Sequence, residues 1–184
     1  GGNRYFSPYG NPRLPDGPEG EHLPDRLATE TVKFIEAKKD GPFLAYLAFY
    51  SVHTPLMARQ DLEAKYARKA ELFDFAGPRW IPENLRNTRQ VQDHAVYGGM
   101  VEAMDQAAGK VLSALDRLGL ASNTVVFMMS DNGGLSTSEG SPTSNIPLRG
   151  GKGWIYEGGI REPMIVRAPR LTQPGGVCAE PVTS

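Results

Sequence analysis

The chain has 184 residues, 40% hydrophobic and 22% charged, with a formal net charge of −1. That length suffices for one domain with a real core, and the near-neutral charge gives no basis for recognising nucleic acid or an acidic membrane surface. No run reaches the ~18 apolar residues of a membrane span, and the single cysteine, Cys178, excludes an intrachain disulfide.

Residues 1–22 are polar and punctuated by Pro8, Pro12, Pro15 and Pro18. They read as an extended loop or tail that buries nothing, and they lack the apolar stretch of a signal peptide. The sequence leaves the compartment unknown; a complete protein that is exported or periplasmic would carry its signal outside this chain. Residues 23–39 predict a helix, because Leu23, Leu27, Thr31, Phe34 and Ile35 fall on one face. Lys38 and Lys39 suit its carboxyl end, and Gly41-Pro42 stops it. The run Phe43-Leu44-Ala45-Tyr46-Leu47-Ala48-Phe49-Tyr50 is apolar on both faces and short, which predicts a central parallel strand. It leads to Ser51-Val52-His53-Thr54-Pro55. His53 then lies just past a strand end, where it is either a loop residue or part of a crevice.

Residues 56–94 form a long connection, with a short amphipathic helix over 61–73 (Leu62, Tyr66, Lys69 and Phe73 in line) before Pro78, Trp80 and Pro82 break it. Arg79, Trp80 and His94 are candidates for a pocket wall or plain packing. Residues 96–118 carry the clearest helix. Met100, Val101, Met104, Ala108, Val111, Leu112, Leu115 and Leu118 make its stripe, and Gly119 caps it. Glu102 and Asp105 read as solvated or paired. The run Thr124-Val125-Val126-Phe127-Met128-Met129 predicts a second buried strand, closed by Ser130-Asp131-Asn132-Gly133-Gly134. Locally this ending admits two readings: a turn, or two oxygen ligands for a hard cation such as calcium or magnesium at the carboxyl end of a strand.

Residues 135–153 are rich in Ser, Thr, Gly and Pro and end in Pro147-Leu148-Arg149-Gly150-Gly151-Lys152-Gly153. The spacing is not that of a phosphate loop, yet a lysine flanked by glycines can approach an oxyanion without crowding. Glu157 and Arg161 are spaced to pair across the next turn, and Met164-Ile165-Val166-Arg167-Ala168 predicts a third strand. Residues 169–184 fade into Pro, Gly and Thr.

Three separated segments together resemble the central part of arylsulfatase-type sulfatases, members of the alkaline-phosphatase-like superfamily. They are Ser51-Val52-His53-Thr54-Pro55-Leu56, Ser130-Asp131-Asn132-Gly133-Gly134, and Pro147-Leu148-Arg149-Gly150-Gly151-Lys152 followed by Tyr156-Glu157-Gly158-Gly159-Ile160-Arg161. The resemblance implies an α/β fold, part of an alkaline-phosphatase-like sandwich with a largely parallel central sheet flanked by helices. Residues 23–184 would be the central part of the catalytic domain. It implies a sulfuric ester hydrolase acting on a sulfated small molecule or carbohydrate. Asp131 and Asn132 would be the later pair of calcium ligands, and Lys152 and His53 the catalytic, substrate-binding groups on the sulfate. The family's nucleophile is a formylglycine made from Cys or Ser. That motif has no match here: Cys178-Ala179-Glu180-Pro181 places proline one position late and no arginine follows. The early Asp-Asp calcium pair and the Lys-x-His segment are also unmatched. The chain therefore reads as an internal fragment, incomplete at both ends, without turnover of its own and with at best weak calcium binding. Two alternatives stand beside this reading. One is a phosphatase or phosphodiesterase of the same superfamily, which would favour Asp-His and zinc or manganese over Asp131-Asn132. The other is a non-catalytic sulfatase-like module. The specific sulfate ester and the oligomeric state are not legible.

Overall fold

A computed structural model describes residues 4–183. The chain divides into two compact units, residues 1–74 with 93–120 and residues 75–92 with 121–184.

The first unit is helical. Helix α1 (Leu23–Lys38) begins with Pro24, whose fixed φ suits a first turn, and Asp25 sits at the positive end of the dipole. Helix α2 (Gln60–Glu71) follows, and α3 (Ala95–Arg117) packs against both. The three meet through Ala28 and Ile35 of α1, Leu62 of α2, and Met100, Ala103 and Ala107 of α3. Small residues on α3 let the axes approach: a side chain at Gly99 would touch Ala58 and Leu62. The predicted stripe is thus rotated slightly, with Val101 40% exposed and the alanines carrying the contact. Around this apolar seam run Lys65–Glu102 (2.6 Å) and Arg117–Glu36 (2.7 Å). The α3 terminus is a Schellman motif: Gly119 at φ 70° donates to Asp116, and Leu120 donates to Leu115.

Two expectations for this unit are corrected. Residues 43–50 form no strand: the stretch has no ladder partner among the described residues, and Leu44 and Tyr46 are 88% and 91% exposed. A strand needs a neighbour to satisfy its backbone, and nothing in this unit supplies one. Nor is the amino-terminal segment a tail that buries nothing. Tyr5, Ser7 and Tyr9 are buried, and Phe6 bridges to His22 beside the start of α1.

The second unit holds two antiparallel pairs. Strands β1 (Trp80–Glu83) and β2 (Arg86–Arg89) make a hairpin that the prolines had concealed, turning at Asn84 with φ 54°. Strand β3 (Val126–Met129) pairs with β4 (Met164–Arg167) in the register Val126↔Arg167 to Met129↔Met164. Between them lies α4 (Glu157–Ile160). The chain is therefore α/β, but the described residues contain only these antiparallel pairs, and the expected parallel sheet is not found among them. β3 and β4 exist where predicted, yet they are not buried: Phe127 and Ile165 are 62% and 63% exposed. No helix of the described residues is long and apolar enough to cross a membrane.

Candidate functional site

Three glycine pairs build the core of the second unit. Gly133 donates to the Gly159 carbonyl (3.2 Å), Lys152 to Gly134 (3.1 Å) and Gly158 to Arg149 (2.8 Å). The backbones touch so closely that a Cβ on Gly133 would overlap the Gly158 carbonyl, and one on Gly159 would overlap that of Trp154. Only glycine permits this approach. Asn145 sits at the hub. Its Nδ2 donates to the carbonyls of Gly134 (2.9 Å) and Gly150 (3.0 Å), while its Oδ1 accepts from the Gly134 N–H (3.1 Å). The Ser136 hydroxyl, fully buried, donates to Gly150 (2.9 Å).

This scaffold carries three of the four predicted site residues. Asp131 and Asn132 lie immediately after β3, with Asp131 exposed, Asn132 half-buried and Ser130 Oγ donating to the Asn132 carbonyl (2.9 Å). Lys152 is half-buried, with its main chain tied to Gly134, two residues past Asn132. Glu162 stands near Asp131 with Oε1 buried and without a hydrogen-bond partner. Burial pushes the Glu162 carboxyl up, and the charge of Asp131 adds to that. A buried carboxylate oxygen next to a second carboxylate is a donor set suited to a hard cation. Residues 121–184 contain no histidine to favour zinc. The donors fit calcium in type but fall short in number, since among the described residues no three His, Cys, Asp or Glu side chains cluster.

The loop bearing Lys152 is braced from the side. Arg149 pairs bidentately with Glu83 of the hairpin (3.0 and 2.7 Å) and lies 3.8 Å over the Tyr156 ring. The guanidinium holds the Glu83 carboxyl below the usual carboxylate range. Trp154 stacks on Tyr156 and donates to Thr137 Oγ1 (2.8 Å). The predicted Glu157–Arg161 pair forms at 3.3 Å, exposed at the surface. Asn145, Glu162 and Arg149–Glu83 were not anticipated. Asn145 lies in a polar loop without periodicity, and Glu83 and Arg149 are 66 residues apart. Trp80 is 43% exposed under Arg89, so it is not a buried wall. A cleft of about 210 Å³ lined by Ser122–Val125 and Pro169–Leu171 contains none of the predicted site residues.

His53 belongs to the first unit, where it is exposed in a tight turn with its main-chain N–H on the Tyr50 carbonyl (2.9 Å). Its Nδ1 lies 2.8 Å from the Thr54 carbonyl. A carbonyl only accepts, so this contact is a hydrogen bond in the tautomer that carries its hydrogen on Nδ1. His94 accepts at Nδ1 from the Tyr97 N–H (3.3 Å), so it serves as the amino-terminal cap of α3.

The Sulfatase family model matches residues 1–184. A sulfatase of Formosa agariphila is 39% identical over 177 residues, 91% of this chain and 28% of that protein. The steryl-sulfatase of Rattus norvegicus is 38% identical over 168 residues, 88% of this chain and 24% of its own. The crystal structure of Ps i-CgsB in complex with k-i-k-neocarrahexaose superposes with a TM-score of 0.65 at 32% identity, covering 86% of this chain and 30% of that one. The chain thus spans less than a third of the length of these relatives. With the family matched along its whole length, it belongs to the sulfatase family.

Proposed function

We propose that the protein to which this chain contributes hydrolyses sulfate esters, and that Asp131, Asn132, Lys152 and His53 serve the sulfate group. The observation that carries this reading is the hydrogen bond from Lys152 to Gly134, joined by Asn145: it ties the Lys152 loop to the turn holding Asp131 and Asn132. Sulfuryl transfer spreads negative charge over peripheral oxygens and the leaving oxygen, so a fixed cation on a rigid loop is the group such a reaction needs. Lys152 supplies that positive charge. His53, with Nδ1 held by Thr54, would offer Nε2 near the leaving-group oxygen and pass a proton there. Asp131 and Asn132 would hold calcium, assisted by ligands from other segments. Calcium held there would offset charge on the sulfate oxygens, and the hydrate of a formylglycine from another segment would supply the attacking hydroxyl.

We further propose that residues 43–50 and β3 are strands of a largely parallel central sheet in the complete domain, with residues 23–184 as its central part. Their exposure on both faces supports this, because apolar strands of such a sheet are covered on both sides. The substrate class includes sulfated carbohydrates and small sulfated alcohols or phenols, in line with the oligosaccharide complex and the steryl-sulfatase among the relatives.

The test is sulfate release by the full-length protein and its Asp131→Ala variant. Wild type is expected to turn over without added metal and to lose activity in chelator. Asp131→Ala is expected to need added calcium or to be inactive, and activity of both proteins untouched by chelator would refute the assignment.

A further inference from the structure

The segment before α1 contains a buried group that the reading above does not use. Tyr5 is 0% exposed. Its hydroxyl lies 2.9 Å from the Tyr50 carbonyl and 2.8 Å from the His53 carbonyl, so its single hydrogen is shared between the two ends of the turn that presents His53. The same Tyr50 carbonyl also accepts the His53 N–H. The tyrosine is itself anchored: its carbonyl accepts from Leu23 at the start of α1 (2.8 Å), and its ring packs against Tyr50 with centroids 5.5 Å apart. Tyr50 in turn lies 5.2 Å from the His53 ring. A side chain 45 and 48 residues away in sequence therefore links α1 to the turn 50–53.

We propose that Tyr5 is a positioning residue for His53: by bridging the carbonyls of Tyr50 and His53 from a site anchored on α1, it sets where the imidazole is presented to substrate. Within the turn, the Tyr50 hydroxyl donates to the Thr54 carbonyl (3.2 Å), so the Tyr5 bridge acts on a turn whose own ends are already tied together. Burial raises the Tyr5 hydroxyl well above the ordinary tyrosine range, so it keeps its proton and donates throughout any working pH. The contact orients a carbonyl pair rather than the ring nitrogens, so its effect on the imidazole is geometric.

This inference rests on the reading of His53 as a sulfate-contacting group, and the experiment separates the two. In the full-length enzyme, Tyr5→Phe keeps the ring and removes only the hydroxyl. It is expected to lower kcat roughly tenfold with little change in KM, within the range that small misplacements of a reacting group produce. The loss should grow as the leaving-group pKa rises, because a poor leaving group depends most on the proton from His53. In a His53→Ala background, Tyr5→Phe should add nothing. A second variant carries 4-aminophenylalanine at position 5, which restores a donor with two hydrogens for the two carbonyls, and should stay within about threefold of wild type. The inference is overturned if Tyr5→Phe matches wild type while His53→Ala is crippled. It is also overturned if Tyr5→Phe lowers activity equally with and without His53, or if the aminophenylalanine variant collapses to the His53→Ala level. If His53→Ala itself keeps wild-type activity, the functional reading of His53 fails.

Discussion

In the proposed reaction Lys152 supplies the positive charge at the sulfate, and its backbone setting suits that role. The N–H bond to Gly134 and the flanking Gly151 and Gly153 leave its side chain on a loop with no neighbouring Cβ to crowd an oxyanion. Lys152→Ala should cut kcat/KM by at least ~10²-fold, the scale seen when one donor to a developing charge is removed; steady-state kinetics on the full-length enzyme reads this, and a loss under about threefold would remove Lys152 from the mechanism. A different residue contributes to acid sensitivity. His22 is 2% exposed, and burial holds its imidazole below the usual value; Asp25 and Asp61 oppose this and Arg59 reinforces it. A folded-state pKa below the unfolded one means the unfolded chain takes up a proton first. The contribution is present above pH ~6.5 and is lost as the pH falls through the folded value. Thermal unfolding between pH 7.5 and 5 should show this loss, and His22→Phe should flatten that slope. An unchanged slope would show that His22 does not titrate on unfolding.

At the scale of elements, the glycine pairs decide the geometry. A methyl on Gly158 would come within 2.5 Å of the Arg149 and Gly150 carbonyl oxygens, and backbone atoms cannot rotate away as a flexible side chain would. Gly158→Ala should destabilise by about 1–3 kcal/mol, the cost of overpacking a tight interior, and should weaken Lys152 placement as well. Denaturant titration measures the first effect and kcat/KM the second; a fully stable, fully active Gly158→Ala enzyme would show that the backbone crossing tolerates a Cβ. These elements also show what a sequence can and cannot reveal. Helices α1, α2 and α3 were legible because their apolar spacing and end signals act locally, over a few residues. The turn after β3 and the glycine-flanked lysine were legible as chemistry, because residue type and order carry them. The hairpin β1–β2 was hidden by Pro78 and Pro82, which read as breakers but are tolerated in an edge pair. Asn145, Glu162 and the Glu83–Arg149 pair were illegible because each acts through contacts distant in sequence, which no periodicity encodes.

On the whole-molecule scale, the exposure of β3–β4 and of the stretch 43–50 explains why the expected buried parallel sheet is not found among the described residues. Their sequences are those of buried strands, and in this chain they lie open, with Leu44, Tyr46, Phe127 and Ile165 mostly exposed. Apolar patches of this kind on a protein surface mark contact with further polypeptide. The chain spans 28% and 24% of the Formosa agariphila and rat relatives. Apolar pattern reports what a strand is meant to touch, whereas the observed pairing depends on which neighbours are present. The same reasoning bears on the proposed site: as calcium ligands Asp131 and Asn132 would supply two of the roughly six to eight oxygens the ion prefers, and the remainder would come from other segments.

The most direct test of the account is to give the full-length protein the sulfate and the phosphate monoester of one alcohol and to measure both products alongside its bound metal. Release of sulfate with calcium bound, and of little or no phosphate, is the expected result. Preferential release of phosphate by a protein holding stoichiometric zinc would contradict it.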